Sequence, residues 1–285
     1  MKFLVLGCNG MAGHMISVYL QEQGHDVLGF DRHSSKYVRN VVGDARDTGF
    51  VKQIIDEGKF DSVINCIRIP NQFAEKDKAL ASFLNSYFPH YLADITCGTN
   101  TQIIHMSTDC VFSGKKGNYT ENDFCDGETF YDRSKALGEL EDDKNITLRN
   151  SIVGPDINAE GIGLLNWFMQ QSGEIKGYTK ALWTGQTTLQ LAKTMEVAAR
   201  EKAHGLFNTV PDQAISKYNL LRLFNRYIRN DIVQITPVDG IVANKALKRT
   251  RFEFGYLIPD YEQMISELAQ WMREHSKMYP QYHLS

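Results

Sequence analysis

Residues 2–31 constrain the fold more than any other part of the chain. An apolar segment from Phe3 to Leu6 ends in a glycine, and two further glycines follow at intervals of three residues. Apolar residues then recur with helical spacing, and a second apolar segment ends directly at Asp31. Strand, glycine loop, helix, strand and acid, in this order, are typical of a dinucleotide-binding unit. The glycines let the backbone approach a diphosphate, and the N-terminus of the helix attracts it.

The sequence does not decide which dinucleotide this unit binds. Asp31 favours an unphosphorylated ribose, whereas Arg32 and His33 can pair with a 2′-phosphate, so NAD and NADP both stay open. Asp44 and Ala45 end the third predicted strand, where we expect a contact with the adenine amino group. The predicted cofactor-binding residues are Gly7, Asn9, Gly10, Met11, Ala12, Gly13, Asp31, Arg32, Asp44, Ala45, Cys66, Ile67, Met106, Tyr131 and Lys135.

The order of the later segments predicts an α/β fold. Four further apolar segments alternate with helical patterns in the first half of the chain, at 41–45, 60–67, 101–108 and 145–149. This alternation is typical of right-handed βαβ crossovers, so we predict a doubly wound, mostly parallel Rossmann sheet with helices on both faces. After residue 150 the alternation loosens. We interpret the second half as a smaller cap on the first domain, apart from residues 205–210, which we expect to return to the sheet.

Composition and charge exclude several other classes of protein. A net charge of −3 over 285 residues gives no sign of binding to nucleic acid or to an anionic membrane. Five cysteines without paired spacing indicate a reducing cytoplasm, and the eight histidines show no metal-ligand spacing. No apolar stretch reaches the roughly 20 residues that span a bilayer. Because the sequence begins directly with the first strand, we expect no signal peptide and a cytoplasmic protein.

A tyrosine and a lysine four residues apart supply the candidate acid–base chemistry. Tyr131 and Lys135 share one face of a helix that follows the fifth predicted strand. A neighbouring ammonium and a cationic nicotinamide lower the pKa of a phenol from about 10, so Tyr131 can act as general acid or base. Thr108, at the end of that strand, can bond a carbonyl oxygen on which negative charge develops. We therefore predict Thr108, Tyr131 and Lys135 as the catalytic residues.

Three other polar residues are weaker candidates. Asn85 either anchors a water and the lysine from a neighbouring helix or is an ordinary polar residue at a helix edge. His14 and His105 fit the helix and strand patterns in which they occur, and we expect structural roles for both.

Several of these motifs together resemble the extended short-chain dehydrogenase/reductases. Within them the chain is most similar to the dTDP-4-dehydrorhamnose reductase branch, and a Ser-Thr-Asp-x-Val-Phe block is the most specific motif. Residues 149–154 and the segment Trp183-Thr184-Gly185 extend the similarity toward the C-terminus. The motifs that carry the resemblance are Gly7-x-x-Gly10-x-x-Gly13, Asp44-Ala45, Ser107-Thr108-Asp109-Cys110-Val111-Phe112 and Tyr131-x-x-x-Lys135-x-x-Gly138-Glu139.

The resemblance implies NAD(P)H-dependent reduction of a 4-keto-6-deoxy sugar that is attached to a nucleoside diphosphate. It implies a dinucleotide-binding Rossmann domain of residues 1–150 with about 183–212, and a smaller C-terminal substrate-binding domain of about 151–182 with 213–285. Helices such as that at 73–97 either pair two copies or simply cover the sheet, so a homodimer stays open. The expected substrate-binding residues are Arg68, Asp109, Asn150 and Trp183.

Three positions depart from the pattern of that branch. Cys110 stands where tyrosine is usual, and Asp132 follows Tyr131 where glycine is usual. Arg68, at the end of the fourth predicted strand, replaces a small residue and either binds a substrate phosphate or crowds the substrate. These departures leave the exact sugar open, whereas the expected class of reaction stays the same.

Two other functions remain as alternatives. A nucleotide-sugar epimerase or dehydratase uses the same scaffold, but a dehydratase usually needs a further acid–base pair. Asp109 is the only such acid at this point of the sequence, and no glutamate follows it. A non-catalytic, nucleotide-binding regulatory subunit often lacks the tyrosine or the lysine, and this chain has both.

Overall fold

A seven-stranded sheet forms the centre of the computed structural model, which describes residues 1–284. Every pair of neighbouring strands in this sheet is parallel. The doubly wound sheet predicted from the sequence is therefore confirmed, and the winding reverses direction between the strands at residues 2–6 and 62–65. Across the sheet the strands are β11 (Gly205–Asn208), β6 (Ile146–Arg149), β5 (Gln102–Ser107), β4 (Ser62–Asn65), β1 (Lys2–Leu6), β2 (Asp26–Asp31) and β3 (Asn40–Val42).

Helices pack on both faces of this sheet because alternate strand residues point to opposite sides. Phe3 and Val5 of β1 belong to one core with the helices at 11–22 and 188–201, whereas Leu4 and Leu6 belong to another with the helices at 48–58 and 88–95. The helices are α1 (Met11–Glu22), α2 (Thr48–Gly58), α3 (Asn71–Ala74), α4 (Lys78–Ala81), α5 (Phe88–Ile95), α6 (Phe130–Ala136), α7 (Leu164–Met169), α8 (Thr188–Glu201), α9 (Lys217–Ile228) and α10 (Tyr261–Glu274), with 3₁₀ turns at Asp109–Val111, Ser276–Met278 and Pro280–Tyr282.

The long helix expected at 73–97 is instead divided into several pieces. Asp77 accepts a hydrogen bond from the Leu80 N–H and so starts α4 as a separate helix. A π-helical segment, Ser82–Tyr87, then joins α4 to α5. Pro89 lies in the first turn of α5 and has no N–H to offer the carbonyl of Asn85, so regular α-helical bonding is interrupted at this point.

Three small sheets follow in the second half, and the sequence did not reveal them. β7 (Ser151–Val153) pairs with β10 (Gly185–Thr187), and β8 (Glu174–Tyr178) pairs with β13 (Gln234–Val238). β9 (Ala181–Trp183) lies between β12 (Ile215–Ser216) and β14 (Ala243–Asn244). These strands have two to five residues, which is too short for an alternating pattern to stand out.

The helices of the second half share one apolar core. It combines Phe168 of α7, Phe224 of α9 and Leu268 of α10, and it also includes Met15 from α1. No helix in residues 1–284 is long and apolar enough to cross a membrane.

Candidate functional site

Two adjoining cavities lie at the carboxyl ends of the parallel strands, where the doubly wound topology places ligands. The first cavity has a volume of 580 Å³ and is lined by the start of α1, by the end of β5 and by Tyr131 and Lys135. The second cavity has a volume of 410 Å³ and is lined by Gly7 and by the ends of β2, β3 and β4. Gly10, Cys66 and Arg68 line both cavities. Fourteen of the fifteen predicted cofactor-binding residues line one cavity or both.

The glycine loop between β1 and α1 requires glycine at two positions. Gly7 has a φ of +82°, and its N–H donates to the Phe30 carbonyl at 2.8 Å. A Cβ atom on Gly13 would lie 2.0 Å from the Gly7 carbonyl oxygen. Gly10, which precedes α1, provides no side-chain cap, and the first turn of α1 contains no acid. The first N–H groups of α1 therefore have no side-chain acceptor, and this arrangement fits the diphosphate of a dinucleotide.

The fifteenth predicted cofactor residue, Asn9, lines neither cavity. Its backbone N–H donates to the Asp31 carboxylate at 3.1 Å, and its side-chain Nδ2 donates to the His33 carbonyl at 3.0 Å. Asn9 therefore fixes the turn after β2 relative to the glycine loop.

Three arginines and two carboxylates line the second cavity. Arg46, which the sequence analysis did not single out, donates from its Nη2 to the Asp44 carboxylate at 2.6 Å. This hydrogen bond lowers the pKa of Asp44, and the charge of Arg32 acts in the same direction. The Asp44 carboxylate is thus paired with Arg46, a partner that the expected contact with adenine did not take into account.

Helix α6 places Tyr131 and Lys135 in the first cavity. Its start is fixed by a capping box, in which Asp132 and Thr129 each accept the backbone N–H of the other. This cap gives a physical reason for Asp132 at a position where glycine is usual. Tyr131 and Lys135 are only 6% and 1% exposed, so both side chains are held inside the protein.

The third predicted catalytic residue, Thr108, lines the same cavity from the end of β5. Its hydroxyl accepts from the Cys110 N–H at 3.2 Å and donates to the Asp109 carboxylate at 3.2 Å. Asp109 also accepts from the Ser151 hydroxyl at 2.6 Å and does not line the cavity. Asp109 therefore lies behind Thr108 as its support, and the direct contact between Asp109 and substrate stays a prediction.

The sequence predicts that the Lys135 ammonium lowers the pKa of the Tyr131 phenol. The charges around Tyr131 differ from this expectation. Burial raises the pKa of Tyr131, and the Arg68 guanidinium lowers it. Burial also lowers the pKa of Lys135 to about 7, and Arg68 acts in the same direction. Lys135 Nζ donates to the Met106 carbonyl at 2.7 Å and lies 3.2 Å from His105 Nε2. The cation that favours the phenolate in this structure is therefore Arg68.

Asn85 does not bind Lys135, which was one of the two interpretations left open. Its side-chain Oδ1 accepts from the Ile69 N–H at 2.9 Å, and its Nδ2 donates to the Ile69 carbonyl and to the Ser134 hydroxyl. A Cβ atom on Gly138 would lie 1.9 Å from the backbone carbonyl oxygen of Asn85, so the π-helical segment lies very close to the end of α6. Asn85 thus holds the segment after β4 against α6.

The expected substrate-binding residues are divided between the cavity and the core. Arg68 and Asn150 line the first cavity. Asn150 is 2% exposed, and neither its Oδ1 nor its Nδ2 has a hydrogen-bond partner. A buried amide without partners costs free energy unless a ligand supplies them, so Asn150 is suited to bind a polar molecule. Trp183 lines neither cavity and packs on Tyr261 in the apolar core that the helices of the second half share, and its contact with substrate stays a prediction.

A buried ion pair supports the end of β5. The Glu139 carboxylate accepts from Arg149 Nη2 at 2.6 Å and from the Ser107 hydroxyl at 2.5 Å. Both charged side chains are less than a tenth exposed. In the sequence Glu139 is visible only as part of a motif, and its position four residues after Lys135 is the available signal. Across residues 1–284, no group of His, Cys, Asp and Glu side chains could hold a metal ion.

Comparison with known proteins gives matches over nearly the whole chain. The probable low-salt glycan biosynthesis reductase Agl14 of Haloferax volcanii is 35% identical over 144 residues, which are 49% of this chain and 48% of that protein. The chain thus matches about half the length of this relative. The dTDP-4-dehydrorhamnose reductase of Aggregatibacter actinomycetemcomitans is 23% identical over 95% of this chain and 99% of its own length.

A solved structure shares the fold. The crystal structure of dTDP-4-dehydrorhamnose reductase from Bacillus anthracis, in complex with NADP, superposes with a TM-score of 0.77 at 18% identity. The superposition covers 94% of this chain and 98% of that one. The family model described as the RmlD substrate binding domain matches residues 1–253. Because this match includes most of the chain, the protein belongs to the RmlD substrate binding domain family.

Proposed function

We propose that this protein reduces the 4-keto group of a 6-deoxy sugar linked to a nucleoside diphosphate, with NADPH or NADH as the reductant. One observation carries the proposal: the phenol of Tyr131 and the hydroxyl of Thr108 line the same cavity as the uncapped start of α1. A proton donor and a hydrogen-bond donor are thus next to the expected position of the cofactor diphosphate. The activities named for the two similar reductases agree with this proposal.

Each residue has a defined task in this reaction. When bound, the reduced nicotinamide supplies the hydride. Tyr131 keeps its proton because burial raises the pKa of its phenol, so it is ready to protonate the ketone oxygen as general acid. The Thr108 hydroxyl, whose one proton is donated to Asp109 in this structure, turns to donate it to the same oxygen and stabilises the negative charge that develops there. Asn150, whose amide has no partner within residues 1–284, binds a sugar hydroxyl or the diphosphate.

We further propose that the cofactor binds to residues 1–150 and about 183–212, and the sugar nucleotide to about 151–182 and 213–285. The cavities support this division, because the second cavity is lined entirely by residues before 85. The first cavity, by contrast, also takes Ser151, Ile152 and six residues between 156 and 163 from the following segment. Arg32 and Arg46 in the second cavity favour NADPH over NADH, because guanidinium groups bind phosphate well.

Absorbance of the reduced cofactor tests the proposal. The protein is mixed with NADPH or NADH and with a dTDP- or UDP-linked 4-keto-6-deoxyhexose. Net oxidation with formation of the 4-hydroxy sugar is the expected result. Product without net oxidation identifies an epimerase, and binding without turnover identifies a regulatory subunit. Either of these results refutes the reductase.

The variant Tyr131→Phe tests the role of the phenol. Loss of a positioned general acid is expected to lower kcat by about 10²–10⁴-fold, while NADPH binding is retained. Tyr87→Phe is a matched control, because Tyr87 is 52% exposed and lines neither cavity. A Tyr131→Phe protein that turns over like Tyr87→Phe contradicts the proposed role.

A further inference from the structure

One short turn, residues 279–282, contacts both walls of the first cavity. One wall consists of residues 10–13, where the glycine loop leads into α1, and the other wall is the segment 156–163. Two tyrosines of the turn, Tyr279 and Tyr282, are only 1% and 6% exposed, and their rings stack with centroids 5.8 Å apart. This C-terminal turn is therefore a rigid, buried element, and each of its two phenols contacts a different wall.

Tyr279 contacts the first wall through His14 of α1. His14 Nδ1 lies 3.0 Å from the Gly10 carbonyl oxygen, and His14 Nε2 lies 2.8 Å from the Tyr279 hydroxyl. A carbonyl oxygen can only accept, so Nδ1 carries the proton of the ring. Burial lowers the pKa of His14 to about 4, so the ring is neutral and its Nε2 accepts from the Tyr279 hydroxyl. Tyr279 therefore fixes the ring that holds the Gly10 carbonyl.

Tyr282 contacts the second wall with its hydroxyl. This hydroxyl accepts from the Asp156 N–H at 2.8 Å and donates to Asn166 Oδ1 at 2.8 Å, which is nearer than the Asp156 carbonyl at 3.3 Å. Asn166 is fully buried, and its Nδ2 donates to the carbonyls of Ala159 and Gly161. One phenol therefore holds this wall both directly and through the Asn166 amide.

These contacts form one continuous path between the two walls. The path runs from Gly10 and His14 through the C-terminal turn to the segment 156–163. Within the turn, the Tyr282 N–H donates to the Tyr279 carbonyl at 3.0 Å. A ligand that restricts motion at one end of such a path also restricts motion at the other end. We propose that Tyr279 and Tyr282 are positioning residues, through which a dinucleotide on the glycine loop orders the wall that receives the sugar nucleotide.

This inference rests on the proposed function, which assigns the first wall to the cofactor and the second to the sugar nucleotide. The match with the family model ends at residue 253, so both tyrosines lie outside the matched region. A second contact between the walls does not involve the turn, because a Cβ atom on Gly163 would lie 2.9 Å from Met11 Sδ. Variants of the two tyrosines leave this second contact in place, so they test the path through the turn alone.

Amide hydrogen exchange without any ligand tests the contact of Tyr282. In Tyr282→Phe the Asp156 N–H loses its acceptor, so exchange of the Asp156 and Gly161 amides is expected to be about tenfold faster than in the natural protein. Tyr261→Phe is the matched control, because it removes a hydroxyl from the same apolar core that lies 3.4 Å from a backbone carbonyl lining neither cavity. Equal exchange rates in the two variants overturn the proposal.

The same measurement at saturating NADPH tests the whole path. In the natural protein and in Tyr261→Phe, NADPH is expected to slow exchange of the Asp156 amide about fivefold or more. Tyr279→Phe should lose this slowing, because it removes the hydrogen bond to His14. A merely structural role of Tyr279 would lower the free energy of unfolding and leave the slowing by NADPH unchanged. Slowing that persists in Tyr279→Phe, or that is absent in the natural protein, overturns the proposal.

Neither exchange measurement requires turnover, so this proposal and the proposed function fail separately. A protein that binds NADPH but reduces no keto sugar refutes the proposed function and leaves both exchange results valid. A reductase in which NADPH does not slow exchange at Asp156 keeps its function and refutes the path through the C-terminal turn. The comparison of Tyr282→Phe with Tyr261→Phe needs no cofactor, and it therefore decides the contact of Tyr282 in every case.

Discussion

Gly13→Ala is expected to separate α1 from the glycine loop. The new Cβ atom would lie 2.0 Å from the Gly7 carbonyl oxygen and 2.8 Å from its carbon, whereas ordinary contacts begin at 3.4 Å. The clashing atoms belong to the Gly7 backbone, which cannot change rotamer to avoid the contact as a side chain can. The start of α1 must therefore move by more than an ångström, or the loop between β1 and α1 must open.

Two measurable costs follow from this displacement. Overpacking of a tight contact costs about 1–3 kcal/mol of the free energy of unfolding. Met11, Ala12 and residue 13 line the first cavity, so their backbone N–H groups are displaced together with the start of α1. Because a hydrogen bond to a charged group contributes about 1.5–3 kcal/mol, loss of one bond to the diphosphate weakens NADPH binding about tenfold or more.

Gly49→Ala is the matched control for Gly13→Ala. Gly49 also lies in the first turn of a helix, α2, but a Cβ atom there would meet only the Asp47 carboxylate, at 3.6 Å. This variant is expected to be as stable as the natural protein or more stable by about 0.4–1 kcal/mol, because alanine restricts the unfolded chain. Urea denaturation and titration of NADPH fluorescence measure both effects. Equal unfolding midpoints and equal NADPH affinities for the two variants would refute the reasoning.

Two further predictions concern buried charge and acid stability. Glu139→Ala leaves Arg149, whose side chain is 2% exposed, without its counter-charge and is expected to cost about 3–5 kcal/mol in urea denaturation. Asp56→Asn removes an exposed ion pair and should leave the midpoint unchanged, so similar midpoints for the two variants contradict the prediction. Burial lowers the pKa of His14 from 6.5 to about 4, so the unfolded chain binds a proton that the folded protein does not. The free energy of unfolding should therefore fall by about 3 kcal/mol between pH 6.5 and 4, and His14→Gln, compared by urea denaturation, should remove this part of the pH dependence.

Local sequence patterns were sufficient for the main sheet and for most of the candidate site. Gly7 requires glycine for its positive φ, and Gly13 requires it for its close approach to the Gly7 carbonyl, so both requirements arise within one turn and the start of one helix. The spacing of Tyr131 and Lys135 places both on one face of α6, and the topology of a parallel sheet brings that helix to the strand ends. Such features repeat with the period of a helix or a strand, so they are visible in a linear sequence.

Other features depended on which distant segments meet in space. The period of β5 predicts that His105 is buried, but only the register of β4, β5 and α6 places it between Asn65 and Lys135. The position of Trp183 was likewise not visible in the sequence. β9 pairs with two short strands that carry no sequence pattern, and Trp183 packs in the apolar core that the helices of the second half share.

The sequence by itself thus determined the fold class and the types of chemical group at the strand ends. The tertiary structure alone decided which hydrogen-bond partners and which protonation states those groups have. The physical reason is that burial and donor–acceptor pairing depend on atoms contributed by segments far apart in the chain.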